Sequence, residues 1–477
     1  MPSLSAIDLA FFLLETDDRP MNVGALSVFM PPAGSKRTFA DRVLRGILKR
    51  PVGPPFNHRL RRGLLAPLPK LELDESIDPA TQVHRVRLRR GADLPELFEA
   101  VCELHVQRLP RDEPLWRLYL FEGLRRGRIA LYFKTHHGIV DGIGFIRALT
   151  ATVTPSARQR RPRAIWEGIP GATEARRTDK TLAELLAKSI ADLRGTARTT
   201  NDLARLLRQE ILRRSGLGRG LILPFVSTPP AFKAPPSSGR TLGHCVLPLH
   251  RVQALGHAHG ATVNDVLLTV LDMAMRKYLK ARGQSPAAPL VADMPVALSR
   301  AGSTGNQIAI LQLPLGGRAS RPASRLAAIV RETATVKEQV HSVSGESLMA
   351  YTILVHAAAS AIESLHLSEL PMLANAVVSN PYGLAERRYF MGAELELAVP
   401  VSVVAHHQTL NITATTYVDE LHVTCIAVRD ALPDIQKLND GAVIALAELE
   451  ADLARPIRAR RPGPQRRHHG TLSAAAR

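Results

Sequence analysis

The chain has 477 residues, 45% of them hydrophobic and 4% aromatic, with a formal net charge of +19. That apolar content suffices for one large core or two ordinary ones, while no window reaches the roughly 18 uninterrupted apolar residues of a membrane-spanning helix. Cys102, Cys245 and Cys425 are too few and too far apart for a disulfide framework or a zinc site, which points to a reducing cytosol. The basic excess favours anionic partners. Arg455, Arg458, Arg460, Arg461, Arg466, Arg467 and Arg477 lie beyond the last acidic residue, Asp452, in what reads as a disordered tail. Scarce aromatics leave no stacking platform for single strands, so no nucleic-acid partner is expected.

Residues 6–15 read as a short apolar helix, Pro20 to Gly24 as a turn and Ala25 to Met30 as a strand. Asp8 interrupts the first apolar stretch and no basic region precedes it, so no signal peptide is expected. Phe39 to Leu48 has helical spacing, Val83 to Leu88 alternates like a strand, and Leu94 to Leu104 is an amphipathic helix. Pro114-Leu115-Trp116 opens a strand through Phe121, and Arg125-Arg126-Gly127 signals a turn. Arg128 to Phe133 then alternate and run into Lys134-Thr135-His136-His137-Gly138-Ile139-Val140-Asp141-Gly142. Ile143, Phe145, Ile146 and Leu149 follow at helical spacing.

His136 and His137 therefore sit where a strand ends and a helix opens, and pleat alternation lets only one of them face a given cleft. A neutral imidazole there suits general-base chemistry, taking a proton from a hydroxyl or thiol as it attacks a carbonyl. Asp141 has the reach to brace the turn through a charge-assisted hydrogen bond. Gly142 is expected to give the turn backbone freedom and to leave space beside the histidine. The bare residues fit equally well a strand-end pair of histidines with Asp141 capping the next helix.

Pro155 to Arg163 reads as an exposed basic loop. Leu182, Leu185, Leu186, Ile190 and Leu193 make one helical stripe, and Leu203, Leu206, Leu207, Ile211 and Leu212 another. The second is flanked by arginines and reads as a crossover with a solvated face, or as a basic helix lying on an anionic membrane. Residues 224–240 are rich in proline and serine and read as a linker between an N-terminal half, 1–223, and a C-terminal half, 241–454, with the basic tail at 455–477.

The second half opens with a strand from Thr241 to Leu249 and a long helix from Asn264, a plausible cap. Pro289 to Val296 and Ile308 to Leu315 are strands about a turn at Gly305-Asn306-Gln307, and helices cover 322–340 and 346–365. Val377 to Asn380, Leu395 to Val404, Leu410 to Thr416 and Leu421 to Val428 read as a meander, closed by a helix from Leu432 to Leu453. His406-His407 lacks a following Asp-Gly and reads as a strand-end pair without a catalytic role.

Several blocks in order resemble the bacterial wax ester synthase/acyl-CoA:diacylglycerol acyltransferase family over residues 4–450. They are Asp8-Leu9-Ala10-Phe11-Phe12 with Glu15 and Pro20-Met21-Asn22-Val23-Gly24, Pro114-Leu115-Trp116, the His-His-x-x-x-Asp-Gly stretch, Asn264-Asp265-Val266, Pro295-Val296, Gly305-Asn306, Ser379-Asn380, Leu410-Asn411-Ile412-Thr413 and Val428 to Asp434. The resemblance implies an α/β (α+β) fold of two chloramphenicol-acetyltransferase-like, condensation-domain-like halves, mixed sheets backed by helices with a tunnel between them. It implies that His137 is the general base, with His136 and Asp141 in support, Asp141 held by an arginine. Gly142, Pro114, Leu115, Trp116, Asn264 and Asp265 would serve as pocket or structural support.

The implied reaction moves an acyl group from acyl-CoA, a co-substrate, to diacylglycerol, with long-chain alcohols as a second acceptor class. No cofactor or metal is bound. The implied setting is cytoplasmic, in peripheral contact with an anionic membrane or lipid droplet. The chain departs from the family where Asn380-Pro381-Tyr382-Gly383 replaces Asn-Val-Pro-Gly-Pro, where Pro295 to Arg300 carries its arginine one place late, and where Leu109-Pro110 replaces Leu-Asp. Two other readings are an acyltransferase acting on another lipid or polyketide hydroxyl, and a catalytically idle lipid-binding protein.

Overall fold

Six strands assemble around β6 (Ile129–His136), the strand that ends at the histidines. On one side lies β5 (Trp116–Leu124), with β4 (Val83–Ala92) parallel to it at the sheet edge. On the other lie β1 (Asn22–Met30), then β12 (Ala393–Val401) and β11 (Tyr389–Phe390), each antiparallel to its neighbour. The pleat sends Ile129 and Phe133 into a core with Phe29, Leu118 and the buried faces of α2 (Phe39–Ile47) and α4 (Gly142–Thr152). Ala130 and Tyr132 point the other way, toward Leu26, Val28 and α3 (Leu94–Val106). The computed structural model describes residues 6–35, 38–63, 66–140, 142–170, 231–286, 288–297, 308–317, 319–343, 345–367, 370–381 and 383–455.

The second sheet runs β7 (Arg240–Pro248), β14 (Glu420–Val428), β13 (Leu410–Tyr417), β10 (Ala376–Ser379), β8 (Leu290–Ala297) and β9 (Ile308–Leu315). β10 is parallel to both neighbours and the other pairs are antiparallel. One face carries α6 (Val263–Ala281), α7 (Pro322–Ser342) and α9 (Gln436–Leu453), the other α8 (Gly345–Ser364). α6 is apolar around most of its circumference from Val266 to Leu279, as a helix enclosed by others and a sheet must be. Two mixed sheets backed by helices are the architecture expected from the sequence.

The halves share a core: Leu242, Ile426 and Val428 of the second sheet pack with Leu26, Val28 and the buried face of α3. They also exchange chain. Leu395 to Val401 belongs to β12, which pairs with β1 in the first sheet and not with β13, so the four-strand meander is corrected to three strands and a crossover. The division at 224–240 therefore splits the sequence but not the sheets. The hairpin β2 (His58–Gly63) with β3 (Ala66–Leu73) and α5 (Leu249–Ala258) were not anticipated; α5 starts directly after Pro248, with no turn residues to announce it. The helical stripes at 182–193 and 203–212, the turn at 305–307 and residues 456–477 of the tail lie outside the described residues. Among the described residues no helix is long and apolar enough to cross a membrane.

A polar network fills the gap between β8, β9, α8 and the crossover that leaves β12. Asp293 is fully buried, and its two carboxylate oxygens accept from the Gln312 and Gln408 side-chain amides, both at 2.6 Å. Burial pushes the Asp293 carboxyl up to about 7. An acid whose folded value is raised is held protonated in the folded state, so its contribution to stability falls as pH rises from about 4 to about 7. Asp293→Asn removes that slope, and the Gln408 amide can turn to match the new donor. In urea melts the variant is expected to gain on the wild type by a few kcal/mol between pH 5 and pH 8; parallel curves at both pH values would contradict the assignment.

Candidate active site

The antiparallel ladder of β1 and β6 pairs Asn22 with His136 and continues one residue further, His137 N donating to Met21 O at 2.8 Å. His136 N donates to Leu115 O at 3.0 Å on the opposite side. The turn thus starts from backbone held on both flanks. Beyond it the two rings differ in burial. His136 is 1% exposed, whereas His137 is half-buried and the more accessible of the two.

Both rings lie against α1 (Ala6–Leu14). Phe11 stacks on His137 with ring centroids 4.1 Å apart, and Phe12 on His136 at 4.2 Å. This close cover depends on Gly138. A Cβ there would stand 2.5 Å from the Phe12 ring and 2.9 Å from Asp8 O, so any side chain would push α1 off the turn. Gly142 has no such constraint: it opens α4 without a positive φ, and a Cβ would meet nothing within 4 Å. The expected conformational need at Gly142 is corrected, and the spatial need falls on Gly138. Asp141 lies outside the described residues.

Immediately after α1 comes Glu15, whose side chain is fully buried. Its Oε1 accepts from Met21 N at 3.1 Å and stands 3.6 Å from His136 Nε2. Its Oε2 faces Arg111 NH2 at 2.5 Å and Arg108 Nε at 3.3 Å. On the other ring nitrogen, Gly138 N donates to His136 Nδ1 at 3.0 Å. Burial, reinforced by the positive charge of Arg111, holds His136 well below the ordinary histidine value, so the ring is neutral. Sequence reasoning quoted Glu15 but gave it no role. The available signal was its helical spacing from Phe11 and Phe12, which places all three toward one neighbour.

Pro114-Leu115-Trp116 supports the site from behind. Leu115 O accepts from both His136 N and Thr135 Oγ1. Trp116 is fully buried, stacks on Trp166 and Phe133, and donates from Nε1 to Phe56 O at 3.0 Å. Pro114 O accepts from Arg117 NH1 at 3.3 Å. Two residues before His136, the buried Lys134 ammonium donates to Leu104 O and Gln107 O, both at 2.7 Å, and so caps the C-terminal end of α3. Burial, then the charge of Arg117, draws Lys134 down to about 7.

Asn264 and Asp265 belong to other machinery. The cap of α6 is Thr262, not Asn264: its side chain accepts from Asp265 N, and Asp265 Oδ2 accepts from Thr262 N at 2.8 Å. Asp265 Oδ1 takes the Thr333 hydroxyl at 2.7 Å, tying α6 to α7. Asn264 is half-buried on the first turn, and none of the described contacts joins either residue to the histidine turn. His406 and His407 lie at the end of α8, where His407 N donates to Glu363 Oε2 at 2.7 Å and its ring meets Pro371 O.

An apolar pocket opens beneath α4. Its cavity volume is about 40 Å³, and Ser27, Phe29, Leu131, Phe133, Leu149 and Trp166 are among its lining. Leu131 and Phe133 reach it from β6. Among the described residues no group of three or more His, Cys, Asp or Glu side chains is arranged to hold a metal ion.

Comparison with known proteins is consistent across the chain. Family models for the wax ester synthase/diacylglycerol acyltransferase catalytic domain and for the matching C-terminal domain cover residues 4–267 and 304–450. The chain is 28% identical over 443 residues to the O-acyltransferase WSD of Acinetobacter baylyi, spanning 92% of this chain and 94% of that one. It is 30% identical over 469 residues to a Mycobacterium tuberculosis protein named "Probable diacyglycerol O-acyltransferase Tgs4", spanning 95% and 97%. The wax ester synthase/diacylglycerol acyltransferase from Marinobacter aquaeolei VT8 superposes with a TM-score of 0.71 at 26% identity, over 94% of this chain and 99% of that chain. The first condensation domain of the CDA synthetase superposes at 0.54 with 19% identity, a likeness of fold alone.

Proposed function

The chain belongs to the wax ester synthase/diacylglycerol acyltransferase family and is an acyltransferase, and we propose that it transfers a long-chain acyl group from acyl-CoA to the free hydroxyl of diacylglycerol, making triacylglycerol. The observation that carries the reading is the contrast at the strand end. His136 is sealed in the core while His137, held by Met21 and Phe11, is only half-buried. His137 takes the hydroxyl proton as the alcohol oxygen attacks the thioester carbonyl. The tetrahedral intermediate then collapses, the C–S bond breaks, and the coenzyme A thiolate recovers the proton from His137. No acyl-enzyme and no metal enters this sequence.

The acyl chain is proposed to lie in the same apolar tunnel as the acceptor, between the halves; the pocket beneath α4, at about 40 Å³, has room for no more than its tip. The acceptor enters by the tunnel proposed between the halves, and basic residues hold the coenzyme phosphates. Long-chain alcohols are the second acceptor class, and the lipid acceptor is drawn from an anionic membrane or droplet surface.

Purified protein given palmitoyl-CoA, with diacylglycerol and hexadecanol offered separately, tests this through thiol release and extraction of the lipid product. Triacylglycerol is the expected product. Wax ester alone would move the acceptor to fatty alcohols, and thiol release with neither product would indicate another lipid or polyketide hydroxyl. No release, together with tight vesicle binding, would leave a lipid-binding protein.

A further inference from the structure

We propose that Glu15 is a positioning residue for the acyl-transfer base: its carboxylate, clamped by Arg108 and Arg111, keeps the His136 proton on Nε2, which frees Nδ1 to hold the Gly138 N–H and shape the turn that presents His137. The proposal rests on the reading of His137 as the base.

The tautomer follows from the hydrogen bonds. Gly138 N donates to His136 Nδ1 at 3.0 Å, so Nδ1 carries a lone pair and the single proton of the neutral ring is on Nε2. That N–H points toward Glu15 Oε1 at 3.6 Å, a little beyond hydrogen-bond range but close enough for the carboxylate to attract its dipole in a dry site. The opposite tautomer would set two N–H groups against each other at the Gly138 contact and a lone pair against the carboxylate. Phe12, stacked within 7° of the ring plane, fixes the plane of the imidazole, and the Gly138 N–H selects the edge that faces the turn.

Glu15 itself is fixed. Arg111 and Arg108 hold Oε2, and Met21 N holds Oε1. Met21 is also the residue whose carbonyl accepts the His137 N–H, so one carboxylate reaches the histidine turn by two routes. Glu15→Gln inverts the pattern. The arginines demand the amide oxygen, which turns the NH₂ toward Met21 N and His136 Nε2, and the ring is then driven to the wrong tautomer.

A double-mutant cycle with His136→Asn reads this directly. Asn Oδ1 can accept from Gly138 N in an Asx-turn and has no tautomer to set. Glu15→Gln alone is expected to lower kcat about 10-fold with KM for palmitoyl-CoA unchanged, displacement of a base being costly at the ångström scale. In the His136→Asn background the loss should shrink to about threefold, the part carried through Met21 N. Equal losses in both backgrounds, or no loss in either, would overturn the proposal.

The ¹⁵N shifts of the His136 ring, identified by their absence from His136→Asn, give a readout independent of activity. Nδ1 should appear unprotonated in the wild type and protonated in a substantial fraction of Glu15→Gln; identical shifts in the two would also overturn it. If the wild type transfers no acyl group the functional reading fails, while these shifts still decide the role of Glu15. They decide it as well if the double variant does not fold.

Discussion

His137→Ala is expected to lower kcat for acyl transfer by about 100- to 10,000-fold, the usual worth of a general base. KM for acyl-CoA should hold, because the ring contributes to proton transfer in the transition state and not to ground-state binding of the thioester. The fold should survive. The backbone bond from His137 N to Met21 O does not involve the side chain, and the truncation removes the stack on Phe11 at a half-buried position. Melting within a few degrees of the wild type, with product formation nearly abolished, is the expected pair of results. His136→Ala supplies the contrast: that ring is 1% exposed and holds the Gly138 N–H, so its loss should lower stability and rate together. Wild-type turnover in His137→Ala would remove the base from the mechanism.

The strand that delivers the histidines was legible because its signal is local. Alternation from Ile129 to Phe133 and helical spacing after Gly142 are properties of a dozen consecutive residues, and the structure places β6 and α4 there. The destination of β12 was not local. Its residues alternate between buried and half-buried just as those of a strand in either sheet would, and chain adjacency favours pairing with β13. Only the assembled halves decide that it joins β1. The same limit applies to the caps. Thr262 and Asn264 are both capping residues two places apart, and the reciprocal bonds between Thr262 and Asp265 choose the first. At the site, Glu15 was visible as a residue but not as a neighbour of His136, since a helix end, a turn and a strand end far along the chain meet there. The glycine that matters for space, Gly138, is distinguished from Gly142 by what packs on it, which no single sequence displays.

The second large effect is expected at the joint between the halves. Arg19 is 1% exposed and its guanidinium makes a bidentate pair with Glu363 at the end of α8, both bonds 2.9 Å, while NH1 donates to Gln408 O at 3.1 Å. One side chain thereby ties the turn after α1 to the far helix and to the crossover leaving β12. Burial pushes the Glu363 carboxyl up, but the Arg19 hydrogen bonds and charge, with the His407 N–H, outweigh it and hold the group below its ordinary value. Arg19→Met strands that carboxylate in the interior, a change that typically costs about 3–5 kcal/mol. Removing both charges, in Arg19→Met with Glu363→Leu, should cost less than the single substitution, because no unpaired ion then remains. A carboxyl with a depressed folded value stabilises above its unfolded value of about 4.3 and loses that contribution as pH falls through the folded one. The gap between wild type and Arg19→Met in denaturant melts should therefore be widest near neutrality and should narrow below about pH 4. Activity should fall with stability, since Met21, two residues from Arg19, carries the carbonyl that receives the His137 N–H. An Arg19→Met protein as stable and as active as the wild type would show that the halves are held by their shared apolar core alone.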